Sequence, residues 1–500
     1  MKIVFRIINF FLIIFAIIFT LIAAQKHQGN MIYYLIFSIF VNYFFIYSLN
    51  TKRLFFETYF ATFIWLGFWF KYTFSLVFLN GIIYDSGPQT NIENIDKALI
   101  TSIIGISAVF LSYIIRQLFF SFKISQLTEK SFFENLYIRN KNIVIFLFII
   151  TFLSIGIFNF NLSVYQKGFI YEHNVHFLIV NFIKWMLLFG LTTFSCFLIY
   201  TEIIREKKIS TFTALIVFFE IFVSYSSMLS RSVILNLSAI TYSFTKYLSF
   251  IKNKLKFFVG FLILIITMFL LNNYFSNYFR INYAIEVGKY EEAKKEYEER
   301  TKNNISEKKN DTFTYELPFK VSNDPGIKPD PVNMSVFVVI NRWSGIDSML
   351  AVVNSKKLSF DLFFESLKEK KIISEKTFYE TTFKIDLDGG KEIRFGDKRI
   401  LKGNTLPGIF SFIFYTGNYL FFFISILFLT LIFSCFEILS LKLSNNNMIY
   451  ASFISFLIAF RLSNFGYAPM DSYLYIISIL LSMILIFFLS NYKESFLNIK

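Results

Sequence analysis

Histidine, cysteine and proline are scarce in this 500-residue chain, with three, two and seven copies. His27, His173 and His176 are too few for a multi-histidine metal site. His173 and His176 lie three apart with only Glu172 nearby, and read as interfacial. Cys196 and Cys435 both fall in apolar segments, which excludes a disulfide framework and a cysteine metal cluster. Acidic residues are outnumbered 34 to 49, so the formal charge is +15. In a soluble protein that excess would point to nucleic acid. Here it follows topology, and no nucleic-acid partner is expected.

What is abundant is apolar. The chain is 55% hydrophobic and 21% aromatic, with a mean hydropathy of +0.55. Too little polar surface remains to clothe a soluble domain. The 71 phenylalanines, with frequent Ile, Asn and Lys, read as AT-biased coding rather than as a binding site. Segments of about 18–25 apolar residues predict membrane helices. Twelve are expected, at about 5–24, 31–49, 55–80, 98–118, 142–160, 176–201, 211–229, 232–250, 257–275, 408–436, 448–463 and 472–490. Residues 5–24 read as a first span rather than a signal peptide, because Ala23-Ala24-Gln25 is a weak cleavage site. Segment 448–463 is short, and 408–436 is long enough to tilt or to begin as a re-entrant piece.

The spans divide the chain into a bundle (1–275), a loop of roughly 130 residues (276–407) and a final group of helices (408–500). With the N-terminus in the cytoplasm, eighteen basic residues fall on inner segments and span ends, and five on short outer segments. The positive-inside rule therefore predicts cytoplasmic termini and an outer loop. The expected fold is all-α and polytopic, with a loop of helices and a small β-hairpin. Within the loop, 284–300 reads as a solvated helix, and 301–333, with four prolines, as a linker. Residues 334–354 read as a helix with an apolar face. Residues 359–371 are amphipathic and suit the membrane face or a cap on the bundle. Residues 377–395 partly alternate around Asp388-Gly389-Gly390, a hairpin pattern. No internal repeat is evident, which weighs against secondary-transporter folds.

Ionisable residues within spans cost roughly 2.5–3.5 kcal/mol at the bilayer centre, so each needs a reason. Lys71 and Lys184 lie eight or nine residues from the outer ends of their spans, and Glu220 lies mid-span. Arg231, Arg280 and Arg461 fall at outer span ends. Each cation has a bland explanation in snorkelling. For Lys71 or Lys184 a pair with Glu220 is another. The sharper reading is a cationic, outward-facing cavity for an anionic lipid head group, where arginine takes two phosphate oxygens at once.

The loop core reads Asn341-Arg342-Trp343-Ser344-Gly345-Ile346-Asp347. On a helix, Trp343, Asp347 and Leu350 share one side. Arg342 and Asp347 are five apart, so each seeks a partner elsewhere. Both suit a structural role in the loop. They also suit a site in which Arg342 holds pyrophosphate and Asp347 positions or deprotonates a sugar hydroxyl.

Three local pieces carry a resemblance. They are Ser230-Arg231-Ser232, Arg342 to Asp347, and Leu406-Pro407-Gly408-Ile409-Phe410 with Tyr415-Thr416-Gly417-Asn418. With the span count and the dominant loop, the chain resembles the oligosaccharide repeat unit polymerases, or O-antigen polymerases, of bacterial surface polysaccharide assembly. The resemblance implies a multi-pass protein of the bacterial inner membrane, with its large loop periplasmic. It implies undecaprenyl-pyrophosphate-linked oligosaccharide as donor and acceptor, with no metal and no cofactor. A chain-length regulator and a flippase are the partners it implies. The catalytic candidates are then Arg231, Arg342 and Asp347. The substrate-binding candidates are Arg280, Arg461, Trp343, Lys184, Lys71 and Glu220. The related O-antigen ligases use a loop histidine, and this loop has none.

Two other classes remain open. Polyprenyl-phosphate-sugar glycosyltransferases carry an acidic pair in their first large outer loop. Asp85, Glu93 and Asp96 here show no one-residue gap, and Asp386-Leu387-Asp388 suits a turn better. A lipid-linked oligosaccharide flippase would share the cationic cavity but needs no such loop.

Overall fold

A computed structural model describes residues 2–49, 54–79, 81, 83, 92–119, 131–167, 175–207, 210–230, 232–251, 254–286, 343–369, 377–383, 393–395, 398–401, 406–465 and 469–492. The bundle begins with α1 (Lys2–Ala24), α2 (Met31–Ser48), α3 (Phe55–Phe78) and α4 (Ile92–Phe119). It continues with α5 (Phe132–Arg139), α6 (Lys141–Leu162), α7 (Phe177–Glu206), α8 (Thr211–Ser227), α9 (Val233–Ser243) and α10 (Lys254–Glu286). The loop contributes α11 (Ile346–Val353), α12 (Phe360–Ser366), α13 (Phe378–Thr382) and two short antiparallel strands, β1 (Ile393–Phe395) and β2 (Lys398–Leu401). The chain closes with α14 (Gly408–Ile413), α15 (Tyr419–Leu443), α16 (Met448–Ser463) and α17 (Pro469–Asn491).

Among the described residues, eight helices are long and apolar enough to cross a membrane. Three further apolar helices are shorter, 448–463 among them. This is an α-helical polytopic membrane architecture. Side-chain polarity sorts the helices by depth. Most of α16 is buried, including Ser452 and Ser455, and it lies at the centre against α3, α9 and α15. By contrast α10 exposes Leu262, Ile263, Leu270 and Leu271, a face suited to hydrocarbon.

Contacts between helix ends define two ends of the bundle. At one, Lys26 donates to the Val77 carbonyl, Lys167 N–H to Met228, and Asn272 to Ser230. There too Lys97 reaches the carbonyl of Val353, so this is the loop end. At the opposite end, Glu437 accepts from the N–H groups of Phe55 and Phe56, the unsatisfied donors that open α3. Arg116 pairs with Glu57 at 2.5 Å, Lys141 with Glu206 at 2.7 Å and also with Glu202, and Arg205 with Glu134. Three of the basic residues at this end are thus matched by acid after folding.

Two loop pieces do not stay at the surface. All eight residues of α11 and all six of α14 are buried. Ser411 Oγ donates to Ser348 Oγ at 3.0 Å, tying the two short helices together. The expected helix over 334–354 therefore needs correction. Among the described residues it starts at Ile346, and Trp343 precedes it, so Trp343 and Asp347 do not share a helical face. The physical reason is the Ser344-Gly345 backbone, which is extended to pass α3. A Cβ on Gly345 would collide with the backbone of Gly67, and one on Gly67 with the Ser344 carbonyl oxygen. Only glycine on both sides permits that approach. Gly408, at φ +68, enters α14 in the same way, with the Ser463 carbonyl 2.7 Å from where a Cβ would stand.

Other expectations fare variously. The segment 408–436 is not one continuous helix. It forms α14 and a 3-10 turn (Phe414–Thr416), breaks at Gly417, and restarts with Asn418 capping α15. The amphipathic 359–371 forms α12 and caps the bundle, with Phe363 against Phe412 and Phe421. The hairpin expected over 377–395 is corrected at its start. Phe378–Thr382 is helical because Thr377 and Glu380 form a capping box, which overrides the alternation. Its turn at 388–390 lies outside the described residues, as do 301–333 and 287–300.

Candidate functional site

α3 is not a regular helix. Trp65–Phe70 form a π turn, and Lys71 follows directly. The wider turn opens the helix surface where Gly67 receives the Ser344-Gly345 backbone. π turns in α-helices recur at functional sites. Lys71, 3% exposed, then pairs with Asp347 at 2.8 Å and donates to the Trp343 carbonyl at 3.2 Å. The other Asp347 oxygen accepts the Gly345 N–H at 3.0 Å. Both oxygens are engaged inside the protein. Asp347 therefore anchors the start of α11. Glu220, offered as a partner for Lys71 or Lys184, instead accepts from Ser195 and Ser224.

A second π turn, Met186–Gly190 in α7, follows closely on Lys184. The Lys184 side chain is exposed, and its ammonium stands 5.1 Å from the centre of the Tyr165 ring. Lys167 stands 5.2 Å from the Tyr225 ring, and the Arg461 guanidinium 5.4 Å from Tyr475. The three tyrosines lie within electrostatic range of one another. Three cations, each over the face of a tyrosine, thus gather at the loop end. The ring faces favour the cations, and the cations favour any anion that settles among them. The turn carrying Ser230 and Ser232 borders this basin. Both serines are buried, and the turn is held by Asn272 on one side and, through Ser227, by Asn159 on the other.

Arg461 and Tyr475 also line a cavity of ≈ 420 Å³ bounded by α12, α14, α15, α16 and α17. Its walls are apolar apart from Arg461, Ser425, Ser472 and the tyrosine hydroxyls. On the other flank of α16, Ser344 Oγ lies 3.4 Å from the Asn464 side chain. The Lys71–Asp347 pair and the cationic basin therefore straddle the end of one central helix.

The structure brings Lys71, Asp347 and Trp343 together at one locus, and Lys184 and Arg461 at the other. Glu220 lies five residues before Tyr225 on α8, the latter on the basin. Arg231 and Arg342 lie outside the described residues, and Arg280 is placed only as a position on α10. Lys167, Tyr165, Tyr225 and Tyr475 were missed by sequence reasoning. Tyrosines near span ends look like the ordinary aromatic belt. No group of three metal-ligating side chains occurs among the described residues.

A further titratable cluster closes the loop end. His27, in the turn between α1 and α2, meets the Tyr72 hydroxyl at 2.8 Å and stacks on Tyr34. Its other nitrogen lies 3.6 Å from Asp96. Burial pushes the imidazole below its ordinary value, with Asp96 opposing.

No family model matches the chain, and no curated protein or solved structure matches it.

Proposed function

We propose that this protein polymerises polyprenyl-pyrophosphate-linked oligosaccharide repeat units at the outer face of a bacterial inner membrane. The observation that carries the reading is the basin in which Lys167, Lys184 and Arg461 converge over three tyrosines. Cations in the membrane half nearest a large polar loop run against the positive-inside trend, and an anionic lipid head group explains them. In this proposal twelve helices cross the bilayer, the termini are cytoplasmic, and the loop end is periplasmic. The sorting of helix ends into two groups supports a bundle with two opposite faces.

The chemistry follows from the charge. The terminal sugar hydroxyl of one lipid-linked unit attacks the anomeric carbon of another chain. A new C–O bond forms, the C–O bond to pyrophosphate breaks, and polyprenyl pyrophosphate leaves with the bonding pair. The hydroxyl proton passes to a basic group or to the departing phosphate. The leaving group gathers negative charge, which Lys167, Lys184, Arg461 and Arg231 stabilise. Arg342 and Arg280 are proposed as further cations of the site from their sequence positions alone. Asp347 acts as anchor of α11 rather than as proton acceptor, and α11 and α14 position the acceptor. Trp343 offers a ring for sugar stacking. A chain-length regulator and a flippase are the proposed partners.

The test uses purified protein with an undecaprenyl-pyrophosphate-linked repeat unit, with products sized by gel or mass spectrometry. A ladder spaced by whole repeat units, lost in Arg461→Ala and Arg231→Ala and insensitive to EDTA, supports the reading. Addition of single sugars from a polyprenyl-phosphate sugar, or transport without any product, sinks it.

A further inference from the structure

The basin explains where an anionic head group would rest, but not where its hydrocarbon would go. The ≈ 420 Å³ cavity begins at the same two residues, Arg461 and Tyr475. An apolar cavity of about 150 Å³ takes a benzene ring. This one has room for roughly three such groups on that scale, or about three to four isoprene units.

Its boundaries fix the direction of approach. Towards the loop it is roofed by Phe363 and Leu367 of the α12 region, with Phe412 of α14 beneath them. Phe363 is braced by Phe421 at the start of α15. These apolar side chains form the lining on the loop side. Along its length the cavity runs between α15 (Ser425, Phe428, Leu429) and α17 (Tyr473, Ile476, Ile479). Phe428 is 60% exposed and Tyr473 37%, so these walls also form the outer surface between two lipid-facing helices. Neighbouring Ile424 and Ile477 are exposed as well. The exposed apolar walls on this side suit hydrocarbon, and the lining near the loop end includes a guanidinium.

We propose that this cavity is a lateral slot for the isoprenoid chain of a polyprenyl phosphate lipid, reached sideways from the bilayer between α15 and α17, with the phosphate end at Arg461. The proposal rests on the lipid-pyrophosphate reading of the basin. It adds the side from which substrate arrives and the helices that hold its proximal isoprene units. The remainder of the chain stays in the bilayer. The positive charge of Arg461 in an otherwise apolar lining commits the slot to an anionic lipid by charge complementarity.

The experiment uses full-length protein in nanodiscs and a polyprenyl phosphate carrying a diazirine in its first isoprene units. Crosslinked peptides are mapped by mass spectrometry, with unlabelled undecaprenyl phosphate or phosphatidylglycerol as competitor. The expected result is labelling on α15 and α17 around Phe428 and Ile476, displaced by undecaprenyl phosphate and not by phosphatidylglycerol. Ile476→Trp, which fills the slot, and Arg461→Ala should each cut labelling at least tenfold. Ser425→Phe fills it from the opposite wall and serves if Ile476→Trp does not fold. Leu262→Trp, on the lipid face of α10, should leave labelling unchanged. Labelling elsewhere, or equal displacement by phosphatidylglycerol, overturns the slot. A polymer ladder with crosslinks elsewhere removes the slot and leaves the polymerase reading standing. Labelling in the slot without any ladder does the reverse.

Discussion

Breaking the Lys71–Asp347 pair should do more harm than deleting it. The two side chains meet at 2.8 Å, and neither reaches a tenth of its full exposure. Lys71→Met leaves a buried carboxylate with only the Gly345 N–H for company. Removing one partner of a buried pair costs about 3–5 kcal/mol, because the other charge is left uncompensated. Asp347→Asn strands the ammonium instead, but the Trp343 carbonyl at 3.2 Å still accepts from it, so the loss should fall near the low end. The double variant leaves no buried charge and should approach neutrality, since apolar or neutral replacements of whole pairs often do. The cycle should then show a coupling of about 3 kcal/mol, well above the few tenths expected of independent sites. Unfolding in mixed micelles, followed by tryptophan fluorescence, measures all four corners. Maleimide labelling of Ser348→Cys adds a local readout, slow while α11 is seated and fast once its anchor is lost. If the two single losses simply add in the double variant, the pair does not hold α11 and the argument fails.

Other consequences are testable in the same preparations. Arg461→Lys should retain less than a tenth of the polymer yield, because a point charge does not reproduce a planar fork over Tyr475; yield equal to wild type removes Arg461 from head-group binding. Gly67→Ala should lower stability by roughly 1–3 kcal/mol through overpacking against Ser344, and a melting curve indistinguishable from wild type would falsify the close-approach argument. His27 has a depressed folded value, so its contribution is fully present above about pH 6.5 and declines as pH falls and the unfolded chain takes up the proton. Stability measured from pH 7.5 to 5 should therefore fall less steeply in His27→Gln, and parallel slopes would show the reasoning wrong.

Much of the helical scaffold was legible because hydrocarbon imposes a length and a composition. Segment 448–463 coincides with α16, while the length of 408–436 suited either a tilted helix or a broken one, and the structure has the break, before α15. The loop was less legible. Nothing in the period of 334–354 says that Trp343–Gly345 lies outside the helix and passes close to another one. That depends on Gly67, nearly 280 residues earlier. The partner of Asp347 was hidden for the same reason. Its spacing from Arg342 showed only that it lacked a local partner. The capping box at Thr377 and Glu380 was present in the sequence but masked by a more conspicuous alternation. In the basin, Lys184 and Arg461 stood out as costly charges. The tyrosines beneath them did not, since every membrane protein carries tyrosines near its span ends.

The π turn in α3 carries a consequence for insertions and deletions. A π turn accommodates one residue more than a regular turn. Removing one residue from Trp65–Phe70 would therefore let the α ladder close with both flanks still nearly in phase, so Lys71 would keep facing Asp347. Removing one from the regular stretch Phe55–Ile64 would instead turn everything beyond it by about 100° at 3.6 residues per turn, carrying Lys71 away from Asp347. The same one-residue loss is thus absorbed in one stretch of α3 and transmitted in the next. What the π turn supplies is width for the Ser344-Gly345 backbone, and slack in the count of residues.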